Sequence, residues 1–185
     1  MPRSTARIGA MSSETRAAYA ESIPAAKLHG AIAGLGVTHV LTVPDTHQKT
    51  LLASLAADPS MRMLTLSTED EAIAVNAGLW IGGAEPIVVI QNVGLFAAMN
   101  ALRGIGVDMR VPALLLVGQY GRDVARPVED DPATGVRFME PVLRAMGVAS
   151  YRLDFESDIP VLETAWRRSR EERRPVAVLL GAPTV

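Results

Sequence analysis

Ile87-Val88-Val89-Ile90 places four β-branched residues in a row. A strand with no polar alternation has to bury both of its faces, which is the condition of a strand inside a parallel sheet covered by helices on either side. Val111 to Val117 and Val176 to Leu180 have the same character. Between such runs lie segments of helical length. The pattern predicts a helix over 24–35, with Pro24 in its first turn and Gly36 past its end, and a strand from Thr38 to Val43 stopped by Pro44. It continues with helix 46–57, strand Met63 to Leu66, helix 69–81, strand Ile87 to Ile90 and a helix over about 95–105. After Val111 to Val117 come a loop over 118–134, helix 135–146, strand 149–153, helix 158–171 and the last strand. Strands alternating with helices imply a doubly wound α/β fold, with about six parallel strands and helices on both faces.

Several function classes are set aside by composition. A net charge of −2 gives no electrostatic case for nucleic acid or a membrane surface. No cysteine is present, so disulfide and thiolate chemistry are out, and His29, His39 and His47 lack metal-ligand spacing. No apolar run reaches the roughly 18 residues of a spanning helix. Residues 1–22 carry Arg3, Arg7 and Arg16 among Ser and Thr without an apolar stretch. The expectation is a disordered tail, with an organellar leader or a start at Met11 as alternatives, followed by one domain over 23–185. A cytoplasmic location fits the composition.

Ligands of open α/β sheets bind at the carboxyl ends of the strands, so the residues there are the candidates. At Ser67-Thr68-Glu69-Asp70-Glu71, Thr68 and Glu71 have the spacing of a capping box, which accounts for Glu71. Glu69 would be the first helical residue. The helix dipole favours an acid there, and a ligand role is the alternative. Gln91 and Asn92 end the apolar strand, with Gly94 allowing close backbone approach; strand-end capping competes with ligand binding. In Pro44-Asp45-Thr46-His47-Gln48-Lys49, Asp45 is a helix N-cap candidate. His47 and Lys49 would then sit in the first helical turn, which suits either an anionic ligand or a solvated surface. Arg122, in the long loop with Asp130 and Asp131, can clamp an anionic group in bidentate fashion or simply offset those acids. No phosphate-loop or dinucleotide glycine motif occurs.

Taken in order and spacing, a set of segments resembles the pyrimidine-binding subunit of the sulfopyruvate and phosphonopyruvate decarboxylases, which are thiamine diphosphate (ThDP) enzymes. The segments are Val43 to Thr46, Glu69 to Ala72, Ala77-Gly78, Gln91 to Leu95, Asn100 to Leu102, Pro112 to Val117, Gly121-Arg122 and Glu129 to Gly135. The resemblance covers about residues 24–181 and includes the family's glutamate followed nine residues later by glycine, here Glu69 and Gly78. It implies that Glu69 is catalytic, hydrogen-bonding N1′ of the aminopyrimidine while the activated cofactor acts as electron sink during loss of carbon dioxide. It implies cofactor contacts from Pro44, Asn92 and Gly94, and substrate contacts from Asp45, His47, Gln91, Asn100 and Arg122. The diphosphate and Mg²⁺ would be held by a β subunit carrying a Gly-Asp-Gly motif, which this sequence lacks. The implied enzyme is a higher hetero-oligomer of αβ units acting on an acidic 2-oxo acid, with Ala72, Ala74, Ala77 and Gly78 permitting close packing between subunits.

The sequence also departs from that family. Val93, Phe96 and Ala97 stand where the pattern has Ser, Gly and Asn, which points to a larger or less polar substrate tail. A ThDP lyase or carboligase subunit and a catalytically silent scaffold copy of the domain are the alternative functions.

Overall fold

The computed structural model describes residues 22–185, so all but the last residue of the expected tail lies outside the described residues. Helix α1 (Ala25–Gly34) leads into strand β1 (His39–Thr42), followed by α2 (Lys49–Ala56), β2 (Arg62–Thr65), α3 (Glu69–Ile81) and β3 (Pro86–Gln91). The chain continues through α4 (Asn92–Ala97), α5 (Met99–Ala101), β4 (Ala113–Gly118), α6 (Thr134–Ala145), β5 (Ala149–Leu153), α7 (Val161–Glu172) and β6 (Pro175–Leu180). The six strands pair in the order β2-β1-β3-β4-β6-β5, every pair parallel. The fold is thus the doubly wound α/β sheet that the alternation predicts.

The apolar run of β3 explains the two layers. Ile87 and Val89 pack with Leu28 and Ile32 of α1, Leu51 and Leu55 of α2 and Leu162 of α7. Val88 and Ile90 point the other way, onto Ile73 of α3, Leu95 of α4 and Leu143 of α6. All four are fully buried. Burying each contributes about 1.5–3 kcal/mol, so a polar residue in this run would forfeit a contribution of that size at the centre of the sheet.

The strand order reverses between β1 and β3, because the chain runs outward from β1 to β2 and then returns to the other side of β1. A crevice opens at such a reversal, at the carboxyl ends of the strands. The loops leaving β1, β3 and β4 all end on that edge.

Local departures from the sequence expectations have physical causes. The helix expected over 46–57 starts only at Lys49, with Gln48 as its N-cap residue. Asp45 is not that cap: its Oδ1 accepts the backbone N–H of His47 at 2.8 Å, forming a turn before the helix. His47 therefore lies in this turn and not in the helix. The helix expected over 95–105 starts earlier, at Asn92, breaks at Ala98 and runs on as a π-type turn over Leu102–Asp108. The capping box is only half formed. Glu71 Oε2 accepts the backbone N–H of Ser67 at 2.9 Å, one residue before the Thr68 cap, and Thr68 makes no capping bond. Of the small residues on α3, Ala72 and Ala77 face the core, while Ala74 and Gly78 face outward.

Candidate active site

At the β1/β3 crevice the Asp45 carboxylate, 6% exposed, gathers donors from two loops. Its Oδ1 accepts from the His47 backbone N–H at 2.8 Å and from Gln91 Nε2 at 3.0 Å, and its Oδ2 accepts from Gln48 Nε2 at 3.0 Å. Gln48, fully buried, also donates to the Ile90 carbonyl at 3.0 Å, tying the β1 loop to the end of β3. Gln48 Oε1 is buried without a partner among the described residues, a polar cost carried by this cluster. Room for the group comes from β4. A Cβ added at Gly118 would stand 2.8 Å from Asp45 Oδ2, 3.0 Å from Gln48 Nε2 and 3.1 Å from His47 Cδ2, so only glycine fits there.

His47 Nε2 lies 3.2 Å from the Leu180 carbonyl at the end of β6 and donates to it. Burial pushes its pKa below the ordinary imidazole value; the Asp45 charge and the carbonyls of Leu180, Ala182 and Gly181 oppose this only in part. The ring is thereby held toward its neutral form and fastens the β1 loop to the carboxyl end of β6.

Glu69 opens α3 on the same edge. Its side chain is half-buried and lies directly against the backbone of Gly94 in the first turn of α4. A Cβ at Gly94 would overlap the Glu69 carboxylate and come within 2.5 Å of its Cγ. The glutamate in this position thus occupies the space that a side chain at 94 would take. Among the described residues no hydrogen bond or ion pair engages the Glu69 carboxylate, in contrast to Asp45 and Glu71. A half-buried acceptor held in place by packing and left without an internal donor is suited to a donor from outside the chain.

Asn92 is 1% exposed; its Oδ1 accepts from the Val93 backbone N–H at 2.9 Å and its Nδ2 donates to the Tyr120 carbonyl at 3.3 Å. It braces the turn that carries Gly94 against the β4 loop. Pro44 is exposed on the rim beside Asp45.

Two candidates lie apart from this constellation. Asn100 is exposed and its Oδ1 accepts from Arg103 Nη2 at 3.1 Å. The Arg122 side chain, 4% exposed, turns inward. Its guanidinium donates to the carbonyls of Asp123 and Arg126, and lies 3.4 Å from both Asp131 Oδ2 and Asp154 Oδ2. The cavity beside it, about 10 Å³, holds no more than one water. Of the two sequence alternatives for Arg122, offsetting the loop acids is the one with the contacts. Asp131, fully buried, completes this brace by accepting the backbone N–H groups of Asp123 at 2.9 Å and Ala133 at 3.0 Å.

Gln48, Gly118 and Asp131 were missed from the sequence. Gln48 read as one polar residue of a helix, and Gly118 as the start of a loop. The signal available was positional: Gly118 directly follows the predicted strand Val111 to Val117, and Gln48 lies in the segment that leaves the predicted strand Thr38 to Val43.

Residues 25–136, more than half of the chain, match the family described as the thiamine pyrophosphate enzyme, N-terminal TPP binding domain. A phosphonopyruvate decarboxylase of Streptomyces viridochromogenes is 39% identical over 100 residues, covering 54% of this chain and 25% of that protein. The sulfopyruvate decarboxylase subunit alpha of Methanococcus maripaludis is 30% identical over 94 residues, covering 51% of this chain and 56% of that one. The match thus spans a quarter to about half of these relatives' length. The crystal structure of benzoylformate decarboxylase from Polynucleobacter necessarius shares the fold, with a TM-score of 0.65 at 20% identity, over 86% of this chain and 30% of that one.

Proposed function

The chain belongs to the thiamine pyrophosphate enzyme N-terminal TPP binding domain family, and from that premise we propose that it is the pyrimidine-binding, or α, subunit of a two-subunit ThDP-dependent 2-oxo acid decarboxylase. The observation that carries this reading is the Glu69 carboxylate, pressed against Gly94 and unmatched by any internal donor among the described residues. The fit is to the aminopyrimidine: N1′ is the kind of nitrogen whose proton such a carboxylate holds. When bound, ThDP supplies the electron sink that stabilises the carbanion left as carbon dioxide departs.

The chain's own residues then divide the work. Glu69 holds a proton at N1′. Gly94 lets the carboxylate lie close to the α4 backbone, Asn92 fixes the turn around it, and Pro44 lines the rim; these four would hold the pyrimidine. Asp45, His47 and Gln91 shape the floor on which the 2-oxo acid would sit. Asn100 and Arg122 are engaged elsewhere and receive no substrate contact in this reading.

The diphosphate needs a different set of ligands. Mg²⁺ on that diphosphate would need carboxylate or amide oxygens from the protein. Among the described residues no group of three or more His, Cys, Asp or Glu side chains is arranged to hold a metal ion, and the sequence has no Gly-Asp-Gly. We propose that a β subunit with this motif holds that half of the site, in a hetero-oligomer of αβ units, a reading supported by the relatives named as a subunit alpha. The names of the relatives make phosphonopyruvate and sulfopyruvate the first substrates to assay.

The test compares the purified chain with the complex that co-purifies with it from its source cells. Titration calorimetry should show weak ThDP binding to the chain alone and tight, Mg²⁺-dependent binding to the complex. Carbon dioxide release from a 2-oxo acid should appear only in the complex. Full turnover by the chain alone would sink the split-site reading.

A further inference from the structure

Next to the Glu69–Gly94 contact, the first turns of α4 and α6 leave an open groove of about 370 Å³, lined by Val93, Phe96, Thr134, Gly135 and Phe138. It is continuous with the candidate site. Val93 directly precedes Gly94, and a Cβ at Gly135 would stand 3.4 Å from Asn92 Nδ2 and 4.0 Å from Phe96 Cε2. Thr134 supplies the one polar side chain of the lining. Val93 is 58% exposed and Phe138 53%, so two large apolar side chains meet water at the mouth of the site. Clustered exposure of this kind marks a surface that something apolar covers.

The charges around the groove give the second part of the argument. A phosphonate or sulfonate tail leaving water needs a charge-assisted donor in return. Arg137 adjoins the groove, but its Nη1 is turned to the carbonyls of Asp131 at 2.6 Å and Pro132 at 3.2 Å, with its Cζ 5.7 Å from the Phe138 ring centre. Arg122 is enclosed by Asp131, Asp154 and two carbonyls. His47 is held toward neutrality. Lys49 opens α2, which packs on the opposite face of the sheet from α4 and α6.

Resting on the function proposed above, we propose that this groove receives the tail of the 2-oxo acid, and that the tail is apolar, aromatic or branched aliphatic, with Val93, Phe96 and Phe138 setting specificity. The test uses the co-purified complex with phenylpyruvate and phosphonopyruvate as probes. The wild type should show a kcat/KM for phenylpyruvate roughly tenfold or more above that for phosphonopyruvate, the range over which apolar pocket contacts discriminate. Phe138→Ser and Val93→Ser replace exposed side chains and spare the core. Each should cut that ratio several-fold, while Ile81→Ser, at an exposed apolar residue away from the groove, should leave it unchanged. A preference for phosphonopyruvate overturns the proposal and leaves the decarboxylase reading standing. So does an unaltered ratio in both groove variants with the complex intact, and so does loss of the co-purifying subunit from both, which would assign the groove to that subunit. Failure to consume any 2-oxo acid, with Glu69→Gln matching wild type in ThDP binding, overturns the underlying reading as well.

Discussion

Three donors from the chain itself close on the Asp45 carboxylate, while the Glu69 carboxylate, on the same edge of the sheet, is touched by a glycine and by no internal donor among the described residues. Both are acids at loop-to-helix transitions beside the central strands. The first joins the β1 loop to Gln91 and Gln48 and is part of the architecture. The second is positioned by packing alone, its hydrogen-bonding capacity left over. An acid that already has its partners holds a structure together; an acid that is fixed in place and lacks them is available for chemistry. The two should therefore fail differently when altered: one in turnover, the other in stability.

The largest effect is expected at Glu69. Glu69→Gln keeps the shape of the side chain and its contact with Gly94, but an amide cannot exchange a proton at N1′. Turnover of the complex should fall by roughly 10²–10⁴, the span of a general acid–base contribution, with the thermal midpoint unchanged. Equal turnover in the variant would erase the distinction between the two carboxylates.

Asp45→Ala should act first on stability, with any turnover loss following from the disturbed floor. It leaves the Gln48 and Gln91 amides without their acceptor in a buried crevice, and hydrogen bonds to a charged group are worth about 1.5–3 kcal/mol each before non-additivity. A loss on the order of 3 kcal/mol in urea unfolding is expected. Full stability combined with lost turnover would move Asp45 into the chemical group.

This contrast also shows what a sequence can carry. The sheet was legible because period and burial coincide: Ile87 to Ile90 has no polar face, and helical segments alternate with such strands along the chain. Glu69 and Gly94 were legible as members of a family pattern, but their mutual contact was not, because it joins two helix starts 25 positions apart. Local sequence makes Asp45 an N-cap candidate because Asp is favoured just before a helical stretch. The folded chain instead closes a turn from Asp45 to the His47 N–H before the helix and adds Gln91, a long-range partner that local rules do not weigh. Arg122 was ambiguous for the same reason. Its partner Asp154 lies on another strand's loop, so only the folded chain distinguishes a brace from a clamp.

His47 allows the architectural side of the comparison to be sharpened by pH. Burial lowers its folded pKa below the 6.5 of the free imidazole. Below about pH 6.5 the unfolded chain takes up a proton that the folded chain resists, so stability is full above that pH and falls as pH drops toward the folded value. The slope from one such group is at most about 1.4 kcal/mol per pH unit. His47→Gln can still donate to the Leu180 carbonyl but does not titrate. Unfolding free energies from pH 7.5 to pH 5 should therefore fall less steeply for the variant, and identical slopes would mean that His47 is as accessible to protons folded as unfolded.

The smallest effect is expected at Glu71, two residues from Glu69 and of the same charge, which makes it the control for the whole comparison. Its Oε2 accepts the Ser67 backbone N–H at 2.9 Å from an exposed position. Gln can make the same bond through its own oxygen. What it gives up is the interaction of a full negative charge with the start of α3, worth about 0.3–1 kcal/mol at an exposed helix end. Asp70 and Glu69 remain in that first turn and supply charge of the same sign, so the net loss should fall at the low end. Glu71→Gln should thus cost about half a kcal/mol or less in urea unfolding and leave kcat of the complex at the wild-type level. A turnover loss at Glu71 comparable to that of Glu69→Gln would mean that the acidity of the α3 start as a whole, and not one carboxylate lying on Gly94, is what the site requires.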